Sequence, residues 1–260
     1  MGGQSKNLSP VGTIVTGGAS GIGREICLRM AALGVVGVLD QNREGIFETI
    51  RLIESQGNRA VALEADVTDA VSIEKGFSTF EHSGTPIDIV VACAGVERLG
   101  TVIDEPEENW DLVMGVNAKG VYLTARSAFR RFVSRRGGRF IAIASDAGLT
   151  GTSGFGVYTA SKFAVVGLVR TLALDFGHLG VCSNAVCPGN VQTPMMDQYL
   201  KERPYERDLW QREMPAGRFA QVREVAAVVE YLASPQASYI NGNTFVVDGG
   251  GLAGPYLADT

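Results

Sequence analysis

The chain has 260 residues, enough for one large domain with a substantial core. Hydrophobic residues make up 45% and charged residues 20%, the balance of an ordinary globular protein. The formal net charge of −5 argues against a nucleic-acid surface; with only His82 and His178, a histidine-based triad or a His-ligated metal is not expected.

The N-terminal stretch 1–10 is polar, has no apolar signal region, and carries Lys6 where a myristoylation pattern needs Ser or Thr. No apolar run reaches membrane-spanning length, so a soluble cytoplasmic protein is expected. The first strand is VGTIVT (11–16), followed by the Gly-rich turn TGGASGIG (16–23) and a helical run with Ile22, Ile26, Met30 and Leu33 on one stripe. VVGVLD (35–40) is the second strand and ends in Asp40. A helix over 43–56, a strand over 59–66, a helix over 69–82 and a strand over 87–94 follow. Residues 107–136 read as helical with a break near 115–117. Arg130, Arg131, Arg135 and Arg136 read as solvated cations that suit that helix's C-terminus. GRFIAIAS (138–145) is a strand, the segment from Tyr158 a helix, and VCSNAVC (181–187) and NTFVVD (243–248) the last strands. Residues 190–216 hold three prolines with Met195, Met196, Tyr199 and Trp210, and read as a partly helical flap over a substrate. Cys27, Cys93, Cys182 and Cys187 lack C-x-x-C spacing, and the first two fall in apolar runs, as free thiols of a reducing compartment would. Strand–helix alternation throughout predicts an α/β fold: a Rossmann-type, doubly wound parallel sheet of about seven strands with helices on both faces, in one domain spanning 1–260.

Two patterns carry chemistry. Gly17, Gly21 and Gly23, with Ser20 and Ile22 between them, sit where a strand turns into a helix, so the helix N-terminus offers free N–H groups to a pyrophosphate. Asp40 stands at the end of the next strand, where an acid meets the adenine ribose hydroxyls and repels a 2′-phosphate, which predicts NAD rather than NADP. Arg43 is the nearest later cation and is expected to be solvated. The second pattern is YTASK, in which Tyr158 and Lys162 lie one helical turn apart on one face. A nearby ammonium favours the phenolate, so the pair can act as a tuned proton-transfer device. The stripe Tyr158, Lys162, Val165, Val169, Leu172 becomes core-facing, which places the lysine near buried surface.

Taken in order, T-G-x-x-x-G-x-G at 16–23, Asp66-Val67, Ala94-Gly95, Asn117, Ser145, Tyr158-x-x-x-Lys162 and Pro188-Gly189 with Thr193 make the chain, from Val11 onward, closely similar to the short-chain dehydrogenase/reductases. The resemblance implies an NAD-dependent oxidoreductase that moves a hydride between a secondary alcohol and the nicotinamide, reversibly with the ketone. It implies Tyr158 as general acid/base, and Lys162 as the residue that holds the nicotinamide ribose and lowers the Tyr158 pKa. It implies Ser145 on the substrate oxygen and Asn117 fixing a water that links Lys162 to solvent. Asp66, Val67, Ala94 and Gly95 would flank the nucleotide; Pro188, Gly189, Val191 and Thr193 would line the nicotinamide. No metal is implied, and a homotetramer is, built from 107–136, 158–177 and 243–248. Singly, Asp66, Asn117 or Pro188-Gly189 could as well be a cap or a turn. The family's Asn-Asn-Ala-Gly is here Ala92-Cys93-Ala94-Gly95, so the bracing beside the cofactor must be made differently. Asp146 directly after Ser145 is a second departure, suited to a polyol or a hydroxylated ring. Candidate substrate contacts are Glu97, Ser145, Asp146, Ala147, Phe155, Tyr158, Asn190, Met195, Met196 and Tyr199, an apolar lining with a few polar points that suits a secondary alcohol of modest size. A non-catalytic dinucleotide sensor or scaffold would also use the fold, and a methyltransferase would use the Gly-rich loop; neither needs Ser145, Tyr158 and Lys162 together.

Overall fold

Runs that are apolar at nearly every position can be buried on both faces only in a parallel sheet covered by helices. In the computed structural model, which describes residues 11–256, they form that sheet; the polar stretch 1–10 lies outside the described residues. Its strands are β1 (Val11–Thr16), β2 (Gly34–Asp40), β3 (Arg59–Glu64), β4 (Ile87–Ala92), β5 (Gly138–Ile143), β6 (Val181–Pro188) and β9 (Thr244–Val247). They are ordered β3-β2-β1-β4-β5-β6-β9, all parallel. The winding reverses between β1 and β4, which opens a crevice at the C-terminal strand ends.

Helices α1 (Gly21–Ala31), α2 (Arg43–Ser55) and α9 (Val222–Ala233) cover one face through Ile26, Met30, Ile46, Ile53, Val225 and Val229. Helices α3 (Ala70–Glu81), α5 (Gly120–Arg135) and α6 (Gly156–Phe176) cover the other through Phe77, Phe80, Phe132, Val165 and Val169. Gly138 has no room for a side chain, since a Cβ there would lie 2.3 Å from the Phe132 ring. The helix Gly156–Leu179 is long and apolar enough to cross a membrane by length and composition, contrary to the reading of the apolar runs. Here Val165, Val166 and Val169 are buried against the sheet, and Lys162 is buried with them.

Three local expectations are corrected, and one helix is added. The helix expected to break near 115–117 does not: α4 (Glu107–Val113) runs into α5 through a π-helical turn, Met114–Lys119, that widens the helix without ending it. Arg131 and Arg135 are not merely solvated: Arg131 bridges Glu74 and Glu81 and lies over the Phe77 ring, and Arg135 pairs with Asp88. Leu33 lies beyond the end of α1 and is exposed. Helix α9 had no counterpart in the sequence reading, although Gln221 and Glu224 form a capping box ahead of its buried Val225, Val229 and Leu232.

The segment 190–216 forms α7 (Pro194–Glu202) and α8 (Pro204–Glu213), anchored by a two-residue pairing of β7 (Val191–Gln192) with β8 (Ala220–Gln221). Leu200, Met214 and Phe219 give it a small core of its own, with Tyr199 stacked on Trp210 at 5.2 Å. Phe132 is fully buried and edge-on to Phe129 at 5.8 Å, so Phe132→Ala is expected to lower stability by about 3–5 kcal/mol, measured by urea unfolding.

Candidate active site

The crevice at the switch point holds a cavity of about 420 Å³. Its first wall is the β1–α1 turn. Gly17 and Gly21 take φ of 71° and 53°, and a Cβ on Gly23 would lie 2.1 Å from the Gly17 carbonyl oxygen, so this turn closes only with glycine. Ser20 occupies the N-cap of α1, yet its hydroxyl makes no capping hydrogen bond, and the first turn holds no acid. A helix N-terminus left open in this way suits an anion. Gly17, Ser20, Gly21, Ile22 and Gly23 all line the cavity.

Asp40 caps the far end. Its Oδ2 accepts from Ala19 N at 3.1 Å and its Oδ1 from Asn42 N at 2.9 Å, which fixes the carboxylate at the cavity wall. The nearby cations are engaged elsewhere: Arg24 with Glu48 at 2.6 Å and the Ala19 carbonyl at 2.5 Å, Arg43 with Glu64 at 3.5 Å. Asp66 and Val67 line the same end, and Asp66 Oδ1 also closes a local turn by accepting from Thr68 N at 2.8 Å. These residues fit a dinucleotide: an open helix N-terminus for the pyrophosphate and a fixed carboxylate for the ribose.

With Ala92 and Cys93 in place of Asn-Asn, the loop after β4 is braced by the Thr16 and Asn117 side chains on its backbone. Thr16 Oγ1 accepts from Cys93 N at 3.0 Å and Ala94 N at 3.2 Å. Fully buried Asn117, presented by the π turn, clamps the next residue: its Oδ1 accepts from Val96 N at 2.9 Å, and its Nδ2 donates to Val96 O at 2.8 Å and Ser161 Oγ at 3.0 Å. Asn117 thus lies behind the cavity wall, its side chain joining the 94–97 loop to α6. Half-buried Cys93 lines the cavity, its thiol pushed up to about 12 by burial.

Ser145, Tyr158 and Lys162 meet at the cavity's other end. The Lys162 ammonium is buried, donates to Ile143 O at 3.0 Å and lies 5.4 Å from the Tyr158 ring centroid. Burial depresses Lys162 to about 8. The ammonium expected to lower the Tyr158 pKa thus stands beside the phenol, whose net shift in the protein on its own is nevertheless upward. Burial raises the phenol above its ordinary value, the Glu97 and Asp146 carboxylates add to the rise, and only Ser145 pulls it down. Ser145 Oγ donates to Asp146 Oδ1 at 2.8 Å, and Ala147 N donates to that same oxygen at 2.7 Å.

The predicted substrate contacts divide. Glu97, Ser145, Tyr158, Met195 and Met196 line the cavity with Ala94, Gly95, Pro188, Gly189, Val191 and Thr193. Thr193 also caps α7, accepting from Met196 N at 3.2 Å. Asp146 is held behind Ser145, and Ala147 is buried with its N–H committed to that turn. Asn190 turns its amide toward Met214 at the flap base. Phe155 and Tyr199 line a second cavity of about 460 Å³ between the loop at 99–101 and the flap, though the Phe155 ring centroid is 6.1 Å from that of Tyr158.

A family model described as enoyl-(acyl carrier protein) reductase matches residues 17–251, and hundreds of curated relatives match the chain. The chain belongs to the short-chain dehydrogenase/reductase family. Among these relatives, the meso-2,3-butanediol dehydrogenase of Serratia marcescens is 35% identical over 241 residues, covering 92% of this chain and 94% of its own. The (3R)-3-hydroxyacyl-CoA dehydrogenase of Mus musculus is 35% identical over 247 residues, covering 91% and 94%. The crystal structure of levodione reductase superimposes with a TM-score of 0.89 at 29% identity, covering 94% of this chain and 98% of its own. The short-chain dehydrogenase/reductases are oxidoreductases that bind a nicotinamide dinucleotide, NAD or NADP, and this chain is one of them.

The position of Lys162 in this family member makes its own prediction. Its folded pKa lies below the ordinary 10.5, so its burial costs stability in full below about pH 8, and the cost is relieved as pH rises toward 10.5. Lys162→Met is expected to stabilise the nucleotide-free protein at pH 7 by roughly 1–3 kcal/mol, with a smaller gain at pH 10, by urea unfolding at both pH values.

Proposed function

We propose that this protein is an NAD-preferring dehydrogenase/reductase that interconverts a secondary alcohol, including polyols and cyclic alcohols, with its ketone. The observation that carries this reading is the convergence of Ser145, Tyr158 and Lys162 at the end of the cavity opposite Asp40. A bound dinucleotide supplies the hydride acceptor or donor. Tyr158 takes the substrate hydroxyl proton in oxidation and returns it in reduction. Lys162 stands beside the phenol, its ammonium 5.4 Å from the ring centroid, placed to hold the nicotinamide ribose. Ser145 hydrogen-bonds the substrate oxygen. Asn117 holds the 94–97 loop and α6 in register, so the cavity wall and the proton-transfer pair keep their spacing.

The preference for NAD is supported by Asp40, whose fixed charge opposes a 2′-phosphate, and by the prior pairing of Arg24 and Arg43. A homotetramer is supported by apolar side chains left outward on the elements the resemblance implies, among them Tyr122 on α5, Phe163 and Leu174 on α6, and Val246 on β9. Its free cysteines suit a reducing, cytoplasmic setting.

The test is turnover of a panel of secondary alcohols, followed by absorbance of the reduced nicotinamide. NAD⁺ is expected to support a higher kcat/KM than NADP⁺, and Asp40→Ala to narrow the gap. Tyr158→Phe is expected to lower kcat by roughly 10²–10⁴-fold with nucleotide affinity retained. Turnover with NADP⁺ alone, or only on long acyl thioesters, refutes the reading.

A further inference from the structure

Glu97 follows the braced loop after β4, two residues beyond Gly95, and its carboxylate has no part in the bracing. That work is done by Thr16 and Asn117 on the backbone of Cys93, Ala94 and Val96. Glu97 is half-buried at the cavity wall, and among the described residues its carboxylate has neither a hydrogen bond nor an ion pair. The adjacent Arg98 does not pair with it: that guanidinium donates to the Glu97 main-chain carbonyl at 2.7 Å.

Three groups on two other elements register its charge. The Glu97 carboxylate raises Tyr158 and Lys162 on α6, and Tyr199 on the flap helix α7. Glu97 lines the same cavity as the proton-transfer pair, Ser145, and Met195 and Met196 of the flap. The other two carboxylates lining this cavity, Asp40 and Asp66, belong to its opposite end and accept backbone hydrogen bonds. A half-buried carboxylate without a donor is costly, and the cost is removed when a ligand supplies an O–H or N–H. Against a ligand carboxylate or phosphate the same group is repulsive, and Asp146 behind Ser145 adds to that repulsion.

We propose that Glu97 is the specificity-determining residue of this site, accepting a hydrogen bond from a hydroxyl or amino substituent near the reacting carbinol and excluding substrates that carry an anion there. The substrate class is then a neutral vicinal diol or an amino alcohol rather than a hydroxy acid. This rests on the reading of Ser145, Tyr158 and Lys162 as the place where the carbinol sits.

Four small secondary alcohols separate the possibilities: 2-butanol, 2,3-butanediol, 1-amino-2-propanol and 3-hydroxybutyrate. With NAD⁺, kcat/KM is expected to be about tenfold or more higher for the diol or the amino alcohol than for 2-butanol, and lowest for 3-hydroxybutyrate. Diol and amino alcohol are separate arms, so the data name which donor is read. Glu97→Gln is expected to reduce the preferred donor's advantage over 2-butanol about tenfold, mainly through KM, and to raise 3-hydroxybutyrate relative to 2-butanol. Equal changes on all four substrates would show that Glu97 acts only through Tyr158, and would overturn the proposal. Ligand-observed NMR of the same compounds with the NADH-loaded protein supplies a readout without turnover. Diol or amino-alcohol binding that survives Tyr158→Phe but is lost in Glu97→Ala supports the proposal even if the redox reading fails. Absence of Glu97-dependent binding by either donor overturns it.

Discussion

A parallel strand can join its neighbour only through a crossover, and that constraint organises this molecule. Crossovers place helices on both faces, so the strands must be apolar on both sides, and the core divides into two clusters separated by the sheet. Polar function is then pushed to the strand ends. Because the order reverses between β1 and β4, the loops after those strands diverge and leave the crevice that holds the main cavity. The Gly-rich turn, the 93–97 loop and Ser145 are the C-terminal continuations of β1, β4 and β5. Asp40 is the last residue of β2, and Pro188 the last of β6.

Within that crevice the balance between burial and charge sets the chemistry. Burial raises Tyr158 and depresses Lys162, so each is pushed toward its neutral form. The two lie one helical turn apart, and the Glu97 and Asp146 carboxylates both add to the rise of the phenol. The one Ser145 hydroxyl proton can serve either Asp146 Oδ1 or the phenol oxygen, and only in the second case does it lower Tyr158. Past Ala92 and Cys93 the loop is braced through its backbone groups, held by Thr16 on one side and Asn117 on the other.

The flap follows a different logic. It has a core of three buried residues and its own aromatic stack, and it is tied to the main body through the short β7–β8 pairing. Met195 and Met196 reach the main cavity from the first turn of α7, while Tyr199, one turn on, faces the second cavity.

The sequence by itself determined the seven strands of the main sheet, because unbroken apolar runs between glycine-rich turns admit few other readings; the two-residue β7 and β8 left no such run. It also determined the phosphate-binding turn and the Tyr158–Lys162 pair, because φ above zero and one-turn spacing are local demands that leave a local record. What it did not disclose has physical reasons. Helix α9 carries its capping box and buried stripe in plain residues, but it follows the flap, where the alternation of elements is interrupted. The π turn at Met114–Lys119 leaves no periodic mark, since it adds only a wider turn to a continuous helix. The destinations of Asn190, Ala147 and Phe155 were decided by tertiary structure alone: adjacency in sequence places a residue near a site, while packing against Met214, the Ser145 turn or the flap decides where its side chain points. Tertiary structure also decided the direction of the Tyr158 shift, because desolvation depends on everything packed around the phenol and not on the residue four positions away.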